Sequence, residues 1–274
     1  SASLNDNKVA WYENDGSQVF TENVITINAD WAESIYATDV DGDGDMDVLS
    51  ASRNDDKIAW YENDGNQNFT EEVITTNADY ALSVYATDID GDGDMDVLSA
   101  SQFDDKIAWY ENDGNQVFTE QVISTNADEA KSVYATDVDG DGDMDVLSAS
   151  FNDDKVSWYE NDGNQVFTEQ IIAINADGAV LVYATDVDGD GDMDVLSAYY
   201  YDNKIIWYEN DGDQMFTEQV ITTNANGVRS VFATDVDGDG DMDVLSASEY
   251  DDKIAWYENN GSPFVFQPQT KEEL

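Results

Sequence analysis

The sequence predicts an all-β protein, a β-propeller of four-stranded blades. Two observations lead there. The acidic run Asp39-Val-Asp-Gly-Asp-Gly-Asp-Met-Asp47 returns at Asp88, Asp137, Asp186 and Asp235, a step of 49 residues each time with no insertion. A repeat of that length holding several short strands is the signature of a propeller blade. Helical periodicity is absent between the runs, and both prolines, Pro263 and Pro268, lie past the last of them.

Within one unit, strand A is expected over 34–39 and leads into the acidic run. Strand B follows at 48–52, strand C at 57–62 after a turn at 53–56, and strand D at 69–76. An Asn/Asp/Gly-rich turn at 62–66 joins C to D, and a link at 77–82 leads to the next strand A. Strand C carries Ile58 and Trp60 on one face and Ala59 and Tyr61 on the other, as expected for a sheet covered on both sides. The tryptophans Trp11, Trp60, Trp109, Trp158, Trp207 and Trp256 occupy one repeated position and are expected in the core, as are Tyr36, Tyr85, Tyr134, Tyr183 and Phe232 in strand A.

One propeller domain over 1–274 is expected. Residues 1–30 form a partial blade, 34–82, 83–131, 132–180 and 181–229 full repeats, 230–266 the last repeat and 267–274 a tail. Five A strands against six C strands favour about six blades with an incomplete first one; five blades is the alternative. The last D strand is expected to be poor, because Ser262-Pro-Phe-Val-Phe-Gln-Pro268 breaks the pattern.

The acidic runs carry the clearest chemistry. Carboxylates at alternate positions around a Gly-rich turn supply the oxygen ligands of a hard cation, and the spacing is that of a calcium loop. The candidate metal residues are Asp39, Asp41, Asp43, Asp45 and Asp47; Asp88, Asp90, Asp92, Asp94 and Asp96; Asp137, Asp139, Asp141, Asp143 and Asp145; Asp186, Asp188, Asp190, Asp192 and Asp194; and Asp235, Asp237, Asp239, Asp241 and Asp243. About five Ca²⁺ are expected, with the position of Asp45 giving its backbone carbonyl. The loop is not an EF-hand: position twelve is Ser50 rather than Glu, and a strand follows instead of a helix.

The run D-x-D-G-D-G-x-x-D between short strands, with the companion segment Lys57-Ile-Ala-Trp-Tyr-Glu-Asn-Asp-Gly65, resembles the FG-GAP/VCBS repeat of integrin α-chain type propellers. The resemblance spans about residues 1–262 and implies a calcium-binding propeller. It implies two kinds of ligand: proteins, bound on the face opposite the calcium loops, or sugars, bound between blades as in some fungal lectins of similar fold.

Lys and Arg number 10 against 62 Asp and Glu, a net charge of −52. Such a chain repels nucleic acid and anionic membrane surfaces. A hydrophobic content of 41% separates it from disordered acidic tails. No run of apolar residues is long enough for a membrane span. Loops of this kind need millimolar calcium, so an extracellular or cell-surface location reached through the secretory pathway is expected. Lys271-Glu-Glu-Leu274 resembles a retention tail, and Asn68-Phe69-Thr70 and Asn260-Gly261-Ser262 match the glycosylation triplet.

His and Cys are both absent, which removes the usual general base and thiol nucleophile. Carboxylates outside the repeated pattern are few, Glu33, Glu129 and Glu249, so the chain is expected not to be an enzyme. The copies differ chiefly in the B–C turn and the D–A link, which an up-and-down blade places on one face, away from the acidic runs. There the candidate ligand-binding residues are Trp31, Arg53, Tyr80, Phe103, Phe151, Tyr200, Tyr201, Arg229 and Tyr250, types that recognition surfaces enrich. A protein or glycan ligand is expected for an adhesion-type binding module. Self-association as a structural segment of a surface or matrix assembly is the remaining alternative.

Overall fold

The computed structural model describes residues 1–261 and 266–268. Every regular element among them is a strand. The strands run β1 (Ala2–Ser3), β2 (Lys8–Asn14), β3 (Phe20–Thr26), β4 (Ala32–Thr38), β5 (Asp47–Ser52), β6 (Lys57–Asn63), β7 (Phe69–Thr75), β8 (Ala81–Thr87), β9 (Asp96–Ser101), β10 (Lys106–Asn112), β11 (Phe118–Ser124) and β12 (Ala130–Thr136). They continue with β13 (Asp145–Ser150), β14 (Lys155–Asn161), β15 (Phe167–Ala173), β16 (Ala179–Thr185), β17 (Asp194–Tyr199), β18 (Lys204–Asn210), β19 (Phe216–Thr222), β20 (Val228–Thr234), β21 (Asp243–Ser248), β22 (Lys253–Asn259) and β23 (Phe266–Pro268). Expected and observed bounds differ by two residues at most in the unit from β4 to β7.

Six sheets result, which sets the five-bladed alternative aside. The first has three strands, β1-β2-β3, and the other five have four each, in sequence order. Two compact units divide the chain, Ser1–Val133 and Tyr134–Leu274, with β12 at the boundary. The last sheet keeps a short fourth strand: β23 pairs with β22 through Phe266↔Asn259, and the Phe266 ring meets Trp207 edge-on at 6.1 Å. The retention-like tail lies outside the described residues, as does Ser262 of the second glycosylation triplet.

Inner strands of a sheet covered on both faces must be apolar or internally satisfied. β5 is buried along its whole length, and β6 is buried from Lys57 to Tyr61. The outermost strand β7 alternates little and is mostly exposed. Register is repeated from sheet to sheet: Leu49 faces Trp60 and Leu98 faces Trp109. A bulge recurs between Ile58 and Ala59 against β7, and another between Ala32 and Ser34 against β5.

In the first unit, Leu49, Trp60, Val84 and Tyr110 belong to one core cluster filling the space between neighbouring blades. In the second, Leu196, Trp207, Val231 and Tyr257 do the same. Trp60, Trp109, Trp158, Trp207 and Trp256 are buried, as expected, while Trp11 is half-buried. The strand-A aromatics touch at tilted angles within each unit, Tyr36 and Tyr85 at 4.7 Å and Tyr134 and Tyr183 at 5.2 Å, but contrary to expectation they are not core: the tyrosines are half-buried and Phe232 is 50% exposed.

One buried serine of the inner strand meets a tyrosine: the hydroxyls of Ser50 and Tyr61 lie 3.3 Å apart, and those of Ser99 and Tyr110 3.2 Å, while the hydroxyls of Ser52 and Ser101 two residues on have no partner among the described residues. Tyr199 stands where the other copies have Ser. Its hydroxyl takes that of Tyr208, and Ser197 instead donates to the Leu181 carbonyl at 2.8 Å.

Candidate metal loops and recognition face

Each acidic run folds on its own carboxylates. Asp39 accepts the N–H of Gly42 at 2.8 Å through one oxygen and that of Gly44 at 3.0 Å through the other. Asp41 accepts from Asp43, and Asp43 from Asp45. Gly44 sits at φ +96, a backbone conformation that side chains resist.

The result is convergent. Ligand atoms of Asp39, Asp41 and Asp43 lie within 4.8 Å of one another, as do those of Asp88, Asp90 and Asp96, of Asp137, Asp139 and Asp145, of Asp186, Asp188 and Asp194, and of Asp235, Asp237 and Asp239. Of the predicted residues outside these triads, Asp92, Asp141 and Asp190 each accept the N–H of the residue two further on, at 2.9, 2.9 and 3.0 Å. Asp45, Asp94, Asp143, Asp192 and Asp241 turn their carboxylates toward Gly65, Gly114, Gly163, Gly212 and Gly261 of the C–D turn, against the Cα where a Cβ would stand. The position of Asp47, which enters three of the triads as Asp96, Asp145 and Asp194, is wholly buried in all five copies. Asp47 accepts the N–H of Val40 at 3.1 Å and that of Asn63 at 2.8 Å, and Asn63 donates its amide to the Met46 carbonyl at 3.1 Å.

The electrostatics favour a cation. Burial pushes the carboxyl of Asp96 up to about 7, that of Asp194 to about 7 and that of Asp145 to about 6, despite two backbone N–H donors on each. Burial also raises Asp41, with the like charges of Asp43 and Asp39 adding to it. An all-oxygen donor set with uncompensated charge and a tight glycine turn fits a hard divalent ion.

At the other end of the strands, link and turn are tied together by backbone. Arg53 donates to the Trp31 carbonyl at 3.2 Å and Phe103 to that of Asp79 at 3.1 Å. Trp31 and Tyr80 stand at positive φ, 56° and 63°. A turn of the preceding blade holds each: Asn7 Oδ1 accepts the Trp31 N–H at 3.2 Å, and Asp56 Oδ1 that of Tyr80 at 2.9 Å.

In the first unit the Arg53 guanidinium lies 4.3 Å from the Trp31 ring and 4.6 Å from that of Tyr80, with Glu33 at 3.1 Å. Tyr80 stacks on Phe103 at 4.2 Å. In the second unit Phe151, Tyr200, Tyr201 and Tyr250 form a chain of ring contacts, and Arg229 lies 4.4 Å over Tyr200 while pairing with Glu249 at 2.7 Å. All nine predicted ligand-binding residues thus fall into two clusters, one in each unit.

The variation is coordinated. Gly178 and Gly227 replace Trp31 and Tyr80 in the link, and a Cβ there would meet the rings of Tyr201 and Tyr250 at 2.8 Å. At these two places a glycine in the link makes room for a large turn residue, whereas Tyr80 and Phe103 are both large and stack.

Sequence reasoning missed the lysines. Lys57 pairs with Glu71 at 2.8 Å and Asp55 at 3.1 Å, and donates to the Asn28 carbonyl at 3.1 Å. Lys106 does the same with Glu120, Asp104 and Asn77. Their repetition at one position beside a buried strand was the available signal.

Two equivalent pockets open between blades. One, of about 460 Å³, is lined by Asp41, Trp60, Glu62 and Phe118 among others, and the second, of about 270 Å³, by Asp139, Trp158, Glu160 and Phe216.

Six overlapping matches to the FG-GAP-like repeat, over residues 1–50, 39–99, 88–148, 137–197, 186–246 and 235–272, cover nearly the whole chain. The chain belongs to the FG-GAP-like repeat family. Its fold is the six-bladed β-propeller expected from the 49-residue step. No curated protein matches it at the sequence level.

Solved structures similar to this FG-GAP-like chain share its fold at low identity. An Agrocybe aegerita lectin with specific recognition of non-reducing terminal N-acetylglucosamine is 18% identical, with a TM-score of 0.66 over 96% of this chain and 74% of that one. The periplasmic gluconolactonase of Pseudomonas aeruginosa is 14% identical, with a TM-score of 0.68 over 96% and 76%. Virginiamycin B lyase from Staphylococcus aureus is 14% identical, with a TM-score of 0.65 over 96% and 77%.

These neighbours correct the expectation that the chain is not an enzyme, since the same fold carries a lactonase and a lyase. The expectation rested on the absence of His and Cys. Carboxylates and metal-bound water also move protons and activate nucleophiles, so that absence does not decide the matter.

Proposed function

We propose that this FG-GAP-like propeller is an extracellular calcium-binding module that holds a ligand on the face formed by its D–A links and B–C turns. The observation that carries this reading is the pair of aromatic clusters. Both arginines of the chain lie on aromatic rings there, and Phe103, Tyr201 and Tyr250 are each about 60% exposed. Exposed aromatic residues backed by a rigid sheet lose little entropy on binding. The acidic loops at the opposite strand ends serve as the fixed scaffold, with about five Ca²⁺ held by the convergent carboxylates. In that role the ion neutralises charge that otherwise strains the A–B turn.

A second reading places a glycan between blades. Its support is the recurrence of the same pocket 98 residues along the chain, with Trp60 and Phe118 in one copy and Trp158 and Phe216 in the other. The test is a glycan array run with millimolar Ca²⁺ and again with chelator, using the wild type and the variant Phe103→Ser/Tyr201→Ser/Tyr250→Ser. Binding that the triple variant loses supports the aromatic face. Binding that the triple variant keeps and Trp60→Ala loses supports the pockets. A blank array with a self-associating chain, seen by sedimentation, moves the assignment to a structural assembly.

A further inference from the structure

We infer that the aromatic face takes a cationic polypeptide segment, seating guanidinium or ammonium groups on its exposed rings as Arg53 and Arg229 are seated in cis. This rests on that face being the ligand face.

The chain displays the seat twice in filled form. Arg53 is held between two rings with Glu33 at its edge, and Arg229 lies over Tyr200 with Glu249 at its edge. Each is a cation on a π surface with a carboxylate completing its charge. The face thus tolerates cations on its rings, and its own two arginines occupy part of the ring surface.

Exposed rings with acidic residues next to them stand beside the filled seats. In the first unit the exposed Phe103 ring follows Tyr80 in the stack, and its backbone is bonded to the exposed Asp79. In the second unit the exposed Tyr201 is bonded in the same way to the exposed Asp177. Asp79 lies in the field of Asp56 and Asp104, and Asp177 in that of Asp154 and Asp202. The nearest lysines, Lys106 and Lys204, are already paired to Asp104 and Asp202. At both places an exposed ring and an acidic residue are neighbours, and among the described residues no cation rests on either ring.

The partner's sign follows from charge. At −52 the chain repels an acidic partner, and for the same reason a second copy of itself, and attracts a basic one over a distance set by salt. Long-range attraction alone does not discriminate among basic partners. The rings do, because cation–π contact needs a desolvated charge at short range.

The test is fluorescence anisotropy with a labelled peptide of alternating Gly and Arg, in millimolar Ca²⁺ at physiological salt. Its comparison is the same peptide with every Arg replaced by citrulline, which keeps the shape and removes the charge. The protein variant Phe103→Ser/Tyr201→Ser/Tyr250→Ser leaves the net charge unchanged and alters only exposed rings. Its melting curve checks the fold. The inference expects the Arg peptide to bind and both citrulline and the triple variant to weaken it by about tenfold or more. Equal binding of the Arg peptide to wild type and triple variant overturns it, leaving bulk charge as the cause. Equal binding of both peptides, lost in the triple variant, also overturns it but preserves the aromatic face as a ligand site. Absence of binding by either peptide, with a glycan-array ligand that the triple variant loses, has the same meaning. Absence of any ring-dependent ligand removes both readings.

Discussion

Asp96 Oδ1 accepts the backbone N–H of Asn112 at 2.8 Å, joining the end of an acidic run to the end of the strand beside it. The second oxygen takes the N–H of Ile89 at 2.9 Å. The residue therefore clamps two segments whether or not an ion is near. Asp96→Asn replaces one acceptor by a donor facing a backbone N–H, at a cost of about 2–3 kcal/mol. That loss is expected in urea denaturation with chelator as well as with Ca²⁺. Asp90→Asn keeps its one backbone bond, to Asp92, and is expected to lose only the calcium-dependent part. Equal behaviour of the two variants would refute the division of labour.

Ion removal is the direct test of the acidic runs. The melting temperature is expected to rise with millimolar Ca²⁺ and to fall in chelator by several degrees, because an ion bound only by the folded state stabilises by mass action. Mg²⁺ is expected to do less, since it parts reluctantly from its waters. A melting curve indifferent to Ca²⁺ and chelator would sink the metal assignment.

Gly178, like Gly227, leaves room for the turn tyrosine beside it. Gly178→Ala sets a Cβ against Tyr201 at 2.8 Å and holds an L-residue at φ +67. The two costs together come to about 2 kcal/mol. Gly178→Ala/Tyr201→Ser removes the clash and is expected to recover part of the loss, measured by equilibrium denaturation.

Lys106 and Lys253 make the same inter-blade hydrogen bond, to Asn77 and Asn224, in different surroundings. The Lys106 side chain is about 10% exposed and bridges two carboxylates, whereas that of Lys253 is 36% exposed. Lys106→Met strands Asp104 and Glu120 and is expected to cost about 3 kcal/mol, against less than about 1 kcal/mol for Lys253→Met. Similar losses in thermal denaturation would mean that the ion pairs contribute little and the carbonyl contact most.

The strands were legible because the 49-residue period reports the same boundary several times over, so each turn signal is read against its copies. The two-sided apolar pattern of Ile58, Ala59, Trp60 and Tyr61 then located the inner strand. The role of Asp47 was not legible: position nine of a calcium loop and a carboxylate clamp look alike until Val40 and Asn63 are placed in space. Nor does any residue-type rule mark Trp31 and Tyr80 as left-handed, since their conformation is imposed by Asn7 and Asp56 of the preceding blade. The grouping of Trp31, Arg53, Tyr80 and Phe103 followed from strand order alone. That Tyr80 and Phe103 stack, with the Arg53 guanidinium against Trp31 and Tyr80, is set by side-chain packing that no residue pattern encodes.

Asp56 holds the next link through its own carbonyl, to Ala78, and through its side chain, to Tyr80. Because the copies are so alike, the corresponding residue of another blade offers the same two acceptors to any link that reaches it. Correct pairing is then selected by how short the tether is, since a nearby segment has a far higher effective concentration than a distant one. Refolding from denaturant therefore involves choosing among near-equivalent neighbours, and skipped blades are its characteristic error. Slow refolding of dilute chains, and exchange of blades between concentrated ones, are the two outcomes expected of that redundancy.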